Sequence, residues 1–235
     1  MTYKKSIIDI ISEMNAKVVP VVEIVDYVFD NINTHTLILK DLFYLQKGFK
    51  IIIDGEEYNI ESIDYDTDTI TLLCPIEIEV TTFPIYLPKF FHGTIRQTNN
   101  ELQEYVEAKE KTPMIYLYEN LTERFFEDGD NSIERESDLR LFFLSQADFQ
   151  TWQTNDFYEN CLIPMRRFME MFIEEIKKAK IINQIKQYDT TSYTHFGVFI
   201  NDKGYEKNFW VDNLSGIEFR ITLEVIKQEN CGNEY

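Results

Sequence analysis

The sequence predicts an α+β protein: a mixed or antiparallel sheet with a covering amphipathic helix, preceded by a small SH3-like or OB-like β-barrel. Three observations carry this. Residues 112–226 run as strand, acidic segment, strand, long helix, strand and strand. Residues 49–73 read as short strands separated by tight turns, the pattern of a small barrel. Between residues 156 and 178, apolar side chains recur three or four positions apart, as on one helix face.

In chain order, residues 4–14 predict a short helix whose apolar face is Ile7, Ile8, Ile10, Ile11 and Met14. Residues 18–29 are rich in β-branched side chains and read as a strand, and 36–39 is a short apolar run. Residues 49–54 alternate up to Asp54-Gly55, a hairpin signal, after which 58–63 pairs back. The acidic turn 64–68 leads into a last strand at 69–73. Residues 74–88 contain Pro75, Pro84 and Pro88, which bar a regular helix, so this stretch is expected to be an extended connector. The expected organisation is therefore 1–88 as helix, barrel and connector, and 89–235 as the α+β domain.

In the second part, 90–95 reads as a strand, and Thr98 or Asn99 is expected to cap a helix running to about residue 109. Strands are expected at 113–118 and 139–144, with the segment 119–138 between them as an acidic loop. The helix 156–178 aligns Phe157, Cys161, Met165, Phe168, Met169, Phe172 and Ile176 in one apolar stripe, which reads as core. Pro164 removes a hydrogen bond inside it, predicting a kink or a fresh helix start near Ile163. Strands at 196–200 and 217–223 close the order.

Composition narrows the function classes. Lys and Arg number 23 against 41 Asp and Glu, a net charge of −18, which disfavours a nucleic-acid surface because phosphate binding needs clustered cations. Asp9 and Glu13 interrupt the first apolar run, so neither a signal peptide nor a membrane span is expected. Cys74, Cys161 and Cys231 are widely spaced and odd in number, unlike a disulfide framework or a zinc site. The 18 Phe, 14 Tyr and 2 Trp are the side chains that dominate cores and interfaces.

A catalytic constellation is not legible. His35, His92 and His195 fall in separate elements without a paired spacing, and no Gly-rich phosphate loop or nucleophile motif is present. No cofactor is expected. Asp64, Asp66 and Asp68 resemble the opening of a calcium loop but lack its Gly and closing Glu, so a solvated turn is expected. The segment 119–138 is strongly acidic and holds the adjacent pair Phe125 and Phe126. With Asp128, Asp130, Glu134 and Glu136 these mark the expected subunit or partner contact.

Strand, acidic loop leading into the run Glu-Arg-Glu-Ser-Asp-Leu-Arg-Leu-Phe-Phe-Leu (residues 134–144), helix with Tyr158-Glu159-Asn160 and Pro164-Met165-Arg166-Arg167, then a hairpin ending Asp212-Asn213-Leu214-Ser215-Gly216-Ile217: this order resembles the tail-terminator and tail-completion proteins of tailed bacteriophages. More loosely it is similar to ring-forming neck proteins of phages infecting Bacteroidetes. The likeness covers about 111–227. It implies a virion protein, made in the bacterial cytoplasm, that forms a homo-oligomeric ring of six or twelve copies between portal and tail. Sheet edges and the long loop would make subunit contacts, portal or other connector and tail proteins would be neighbours, and genomic DNA would pass through the lumen without specific binding. It implies no catalytic residues. Two other classes compete: a monomeric adaptor that uses the barrel to hold a phage or host protein, and a metal-dependent hydrolase built on Glu170, Glu174 and Glu175 of the long helix.

Overall fold

Helix α1 (Ile7–Lys17) begins where Ser6 and Asp9 cap each other: the Ser6 hydroxyl accepts from the Asp9 amide at 3.1 Å, and the Asp9 carboxylate accepts from the Ser6 amide at 3.2 Å. The computed structural model describes residues 5–18, 21–31, 34–53, 55–73, 81–105, 111–126, 133–200 and 202–226. The helix runs three residues past the expected end, to Lys17, and buries Ile7, Ile10, Ile11 and Met14. Its Asn15 amide donates to the Pro88 carbonyl at 2.8 Å, tying the helix to the chain entering the second sheet.

The first sheet contains β1 (Val21–Asn31), β2 (Thr34–Leu39), β3 (Lys50–Ile53), β4 (Glu56–Asp64), β5 (Thr69–Leu73) and β6 (Thr82–Pro84). Every pairing is antiparallel, in the order β3-β4-β5-β2-β1-β6, and β3 also contacts β6, so the sheet curls into a nearly closed barrel. Leu37, Leu39, Ile51, Ile53, Ile70 and Leu72 point inward at every second position, the alternation that fixes strand register. The connector expectation for 74–88 needs correcting at 82–84. Phe83 is buried and pairs opposite Val22, so that short run completes the barrel edge. Residues 74–80 lie outside the described residues.

The second sheet begins with β7 (Lys89–Gly93), and α2 (Ile95–Leu102) crosses over to β8 (Met114–Tyr118), which lies parallel to β7. The expected cap of this helix is corrected. Thr94 caps it, with Gln97 reciprocating, so the helix starts at Ile95 and ends at Leu102, and Thr98 is buried within it. Beyond β8 come β9 (Thr122–Phe125), β10 (Ile133–Gln146), a short helix α3 (Thr154–Phe157), a π-helical turn (Tyr158–Leu162), α4 (Ile163–Lys178), β11 (Ile182–Phe196), β12 (Val198–Ile200), β13 (Glu206–Asn208) and β14 (Leu214–Ile226). The strand order is β11-β14-β10-β8-β7, with β9 added alongside β10. The fold is α+β and mostly antiparallel.

Pro164 sits in the first turn of α4, where its missing amide costs nothing, and the wide π turn absorbs the break before it. The helix restarts at Ile163, as expected. The single strand expected at 196–200 is divided. Gly197 adopts φ +76, and a Cβ there would lie 2.2 Å from the Trp210 ring, so β11 ends and β12 turns away as a separate hairpin with β13.

The sheet is apolar on both faces for part of its length. Leu139, Leu141 and Phe143 of β10 and Phe219, Ile221 and Leu223 of β14 face α4. On the reverse face, Tyr116, Phe142, Phe196 and Trp210 form a second, aromatic core with Leu102 of α2. The larger core is continuous with the barrel. The Phe168 ring lies 5.1 Å from Phe143 of the sheet and 5.0 Å from Tyr44 of the barrel segment.

Phe168→Ala removes a fully buried ring that touches both parts and is expected to cost about 3–5 kcal/mol in urea unfolding. Gly216 is stricter still: at φ +156, an added Cβ would lie 2.0 Å from the Phe143 carbonyl oxygen. Gly216→Ala should therefore depress the melting temperature more than Gly204→Ala, at a site where a Cβ meets nothing.

Candidate functional site: interaction surfaces

The expected acidic loop is corrected first. Residues 122–125 and 133–138 form a β-hairpin arm, with Arg124 opposite Glu136 and Phe125 opposite Arg135. The charges alternate in sign along and across these strands, so each acid finds a cation: Arg135 Nε lies 2.9 Å from Glu123, Arg124 reaches Asp138 at 2.9 Å, and Lys186 bridges Glu136 and Glu224. Glu134 is buried, next to Arg135 at 3.5 Å, and Arg135 also donates to the Lys5 carbonyl at 2.8 Å. Glu134 and Glu136 therefore stand in a sheet with their charges partnered inside the molecule. Phe125 and Phe126 remain exposed, Phe125 with the Arg135 guanidinium 5.8 Å from its ring. Asp128 and Asp130 lie outside the described residues.

Below the aromatic core, the same sheet face turns from apolar to charged. Its centre is Glu218 of β14, whose side chain is 1 % exposed. Arg140 Nε and Arg220 Nε both donate to its Oε1, the latter at 2.6 Å, and the Tyr193 hydroxyl donates to Oε2 at 2.6 Å. Burial alone would push this carboxyl up, but the hydrogen bonds from Arg140, Arg220 and Tyr193 outweigh it and hold it at about 2. This cluster is invisible to local sequence patterns, because its members are spread over three strands and meet only through register. Glu218 is fully engaged, and the cluster offers no free acid or base.

The histidines stay apart. His35 is buried beside Phe29, at 4.7 Å between rings, His92 pairs with Glu119 at 3.1 Å, and His195 sits against Phe149 at 4.2 Å. Asp64 caps its own turn, accepting from the amides of Asp66 at 2.9 Å and Thr67 at 3.3 Å. Glu174 and Glu175 pair with Lys177 and Lys178 one turn on, both at 2.7 Å, as solvent-facing helical ion pairs. Among the described residues, no three His, Cys, Asp or Glu side chains gather as a metal-holding group. Burial pushes the Cys161 thiol up to about 12, which leaves it inert at neutral pH, and Cys74 and Cys231 lie outside the described residues. No described helix is long and apolar enough to cross a membrane.

What the surface does offer is exposed apolar area on hairpins. At the far end of β1, Val25, Val28 and Phe29 are exposed by 63 %, 47 % and 55 %. On the β12–β13 hairpin, Ile200, Tyr205 and Phe209 are exposed, Phe209 stacked on Phe199 at 4.3 Å. No family model, curated protein or solved structure matches this chain.

Glu218 also dictates a pH response. Its folded value lies below the ordinary 4.5, so its contribution to stability is complete above that pH and is lost as pH falls toward 2. Glu218→Gln should flatten the acid limb of a stability-against-pH profile in that window. Glu218→Ala removes the shared acceptor of Arg140, Arg220 and Tyr193 but leaves both guanidinium groups partly in water, so a cost of about 1–2 kcal/mol is expected in chemical denaturation at neutral pH.

Proposed function

We propose that this chain is a structural virion protein of a tailed bacteriophage, one copy of a ring in the head-tail connector between portal and tail. The observation that carries the reading is the exposed apolar area on the β1 end and on the β12–β13 hairpin, far apart in the sequence and both projecting as hairpins. Isolated exposed side chains are ordinary, but clusters of Val, Ile, Phe and Tyr at hairpin ends are surfaces that associate. Two such surfaces on one chain suit head-to-tail contact between identical copies, the arrangement that closes into rings. In this reading the barrel is an SH3-like or OB-like module and the α+β part is the terminator-like ring element.

The excess of 41 acids over 23 bases would give such a ring a lumen that repels phosphate and lets DNA pass. A monomeric adaptor holding one partner is the second reading, favoured by the cleft described in the next subsection.

Light scattering over a wide concentration range tests the proposal. A closed multiple of six or twelve copies is expected. Val25→Asp combined with Val28→Asp should raise the concentration needed for assembly about tenfold or more, while the monomer's melting temperature stays nearly unchanged because both side chains are already solvated. A strict monomer at every concentration, with and without purified portal rings, would refute the ring.

A further inference from the structure

Between the barrel and the second sheet lies a cleft of about 1040 Å³, with Gln46 and Lys47 on the barrel side and Lys89, Tyr105, Ser145 and Trp152 on the other. Its chemistry is unlike the rest of this acidic protein. Gln46 is 6 % exposed, and its Oε1 accepts from the Ser145 hydroxyl at 2.7 Å, which fixes the amide in place. Its Nε2 is buried without a hydrogen-bond partner among the described residues. That atom is sealed under the cleft wall, so contact with anything outside the chain falls to the charged groups of the cleft.

The charges in the cleft reinforce this. Both acids that line it are already engaged: Asp148 accepts from the Gln150 and Thr151 amides and the Thr151 hydroxyl, and Glu57 is paired with Lys50. The remaining charges are cations. Lys89 lies 5.4 Å from the Tyr105 ring with no carboxylate partner, and Lys47 forms no ion pair among the described residues. Two ammonium groups without a carboxylate partner among the described residues thus line a space walled by aromatic rings.

We infer that this cleft binds an extended acidic peptide segment of another protein, with a carboxylate held by Lys47 and Lys89. A small anion would leave most of the volume empty, whereas a peptide strand fills it and presents both donors and acceptors to the side-chain amides of Gln146, Gln150 and Asn213. Nucleic acid fits poorly, because three cations beside two carboxylates neutralise few phosphates. The inference is independent of ring formation: the cleft belongs to a single chain.

The test is to pan a random heptapeptide library against the full chain and against its Lys47→Glu/Lys89→Glu variant, then measure the enriched peptides by fluorescence polarisation. Both lysines are exposed, so thermal melting should show the variant folded. Enrichment of Asp- and Glu-bearing peptides is expected, with affinity falling about tenfold or more in the double variant and weakening as salt rises. The inference fails if no peptide is enriched, if basic or purely apolar peptides win, or if the double variant binds equally well. It also fails if succinate alone competes at the affinity of the peptide, since the site would then serve a small anion.

Discussion

One ring holds this molecule together. Phe168 projects from α4 between Phe143, in the middle of the second sheet, and Tyr44, in the segment that closes the barrel. A helix laid on a sheet normally buries one stripe against one partner. Here the stripe is wide enough to serve two, because Cys161, Met165, Phe168, Met169, Phe172 and Ile176 are all buried. Helix α1 packs on the same helix and brings Ile7, Ile10 and Ile11 into the same core, so the barrel and the sheet share one continuous apolar interior. Ser145–Gln46 and Arg167–Asp41, at 2.7 and 3.5 Å, add polar links across the same boundary. The cleft beneath Gln46 exists because this core fills only part of the seam.

The second constraint is electrostatic. A chain this acidic must either keep its carboxylates in water or supply partners, since an unpaired buried charge is prohibitive. The sheet supplies partners by register. Arg124 faces Glu136, Asp189 faces Arg220, and Arg140 and Arg220 converge on Glu218 from neighbouring strands. Each pair on the open surface is worth little, but the group around Glu218 is shielded and its geometry is shared among four side chains. That grouping lets one face of the sheet run from an aromatic core to a charged field without an orphaned group at Glu218.

How much of this was legible in the sequence follows from what each element buries. The α4 stripe, with its break at Pro164, and the barrel strands β2, β3 and β5 bury one clear face and periodicity exposed them, whereas the strand 114–118, buried on both faces, stands out as a continuous apolar run. The arm strands 122–125 and 133–138 were hidden because their residues are charged on both faces, so Glu-Arg-Glu-Ser-Asp reads as a polar run instead of a strand. The Thr94 cap was missed because Gly93-Thr94 closes a strand and opens a helix with no residue between. The cleft and the Glu218 cluster depend on contacts between residues about 80 to 100 positions apart, Gln46 with Ser145 and Arg140 with Glu218, which no local pattern encodes.

Strand β11 was missed altogether, and the reason bears on assembly. Its fifteen residues are nearly all exposed or half-exposed, and among the described residues it pairs only with β14 and its other edge is open. An open edge of that length would invite strand addition. Yet its pairing is interrupted by register shifts at Ile182/Gln184, Ile185/Gln187 and Tyr193/Phe196, and it carries Lys186 and Asp189 between them. Bulges and charges of this kind twist and block an edge against further pairing. The edge that looks most available is therefore the one best protected. The apolar surface that carries no such protection is on the β1 and β12–β13 hairpins, and any self-association of this chain is better sought there than along the sheet.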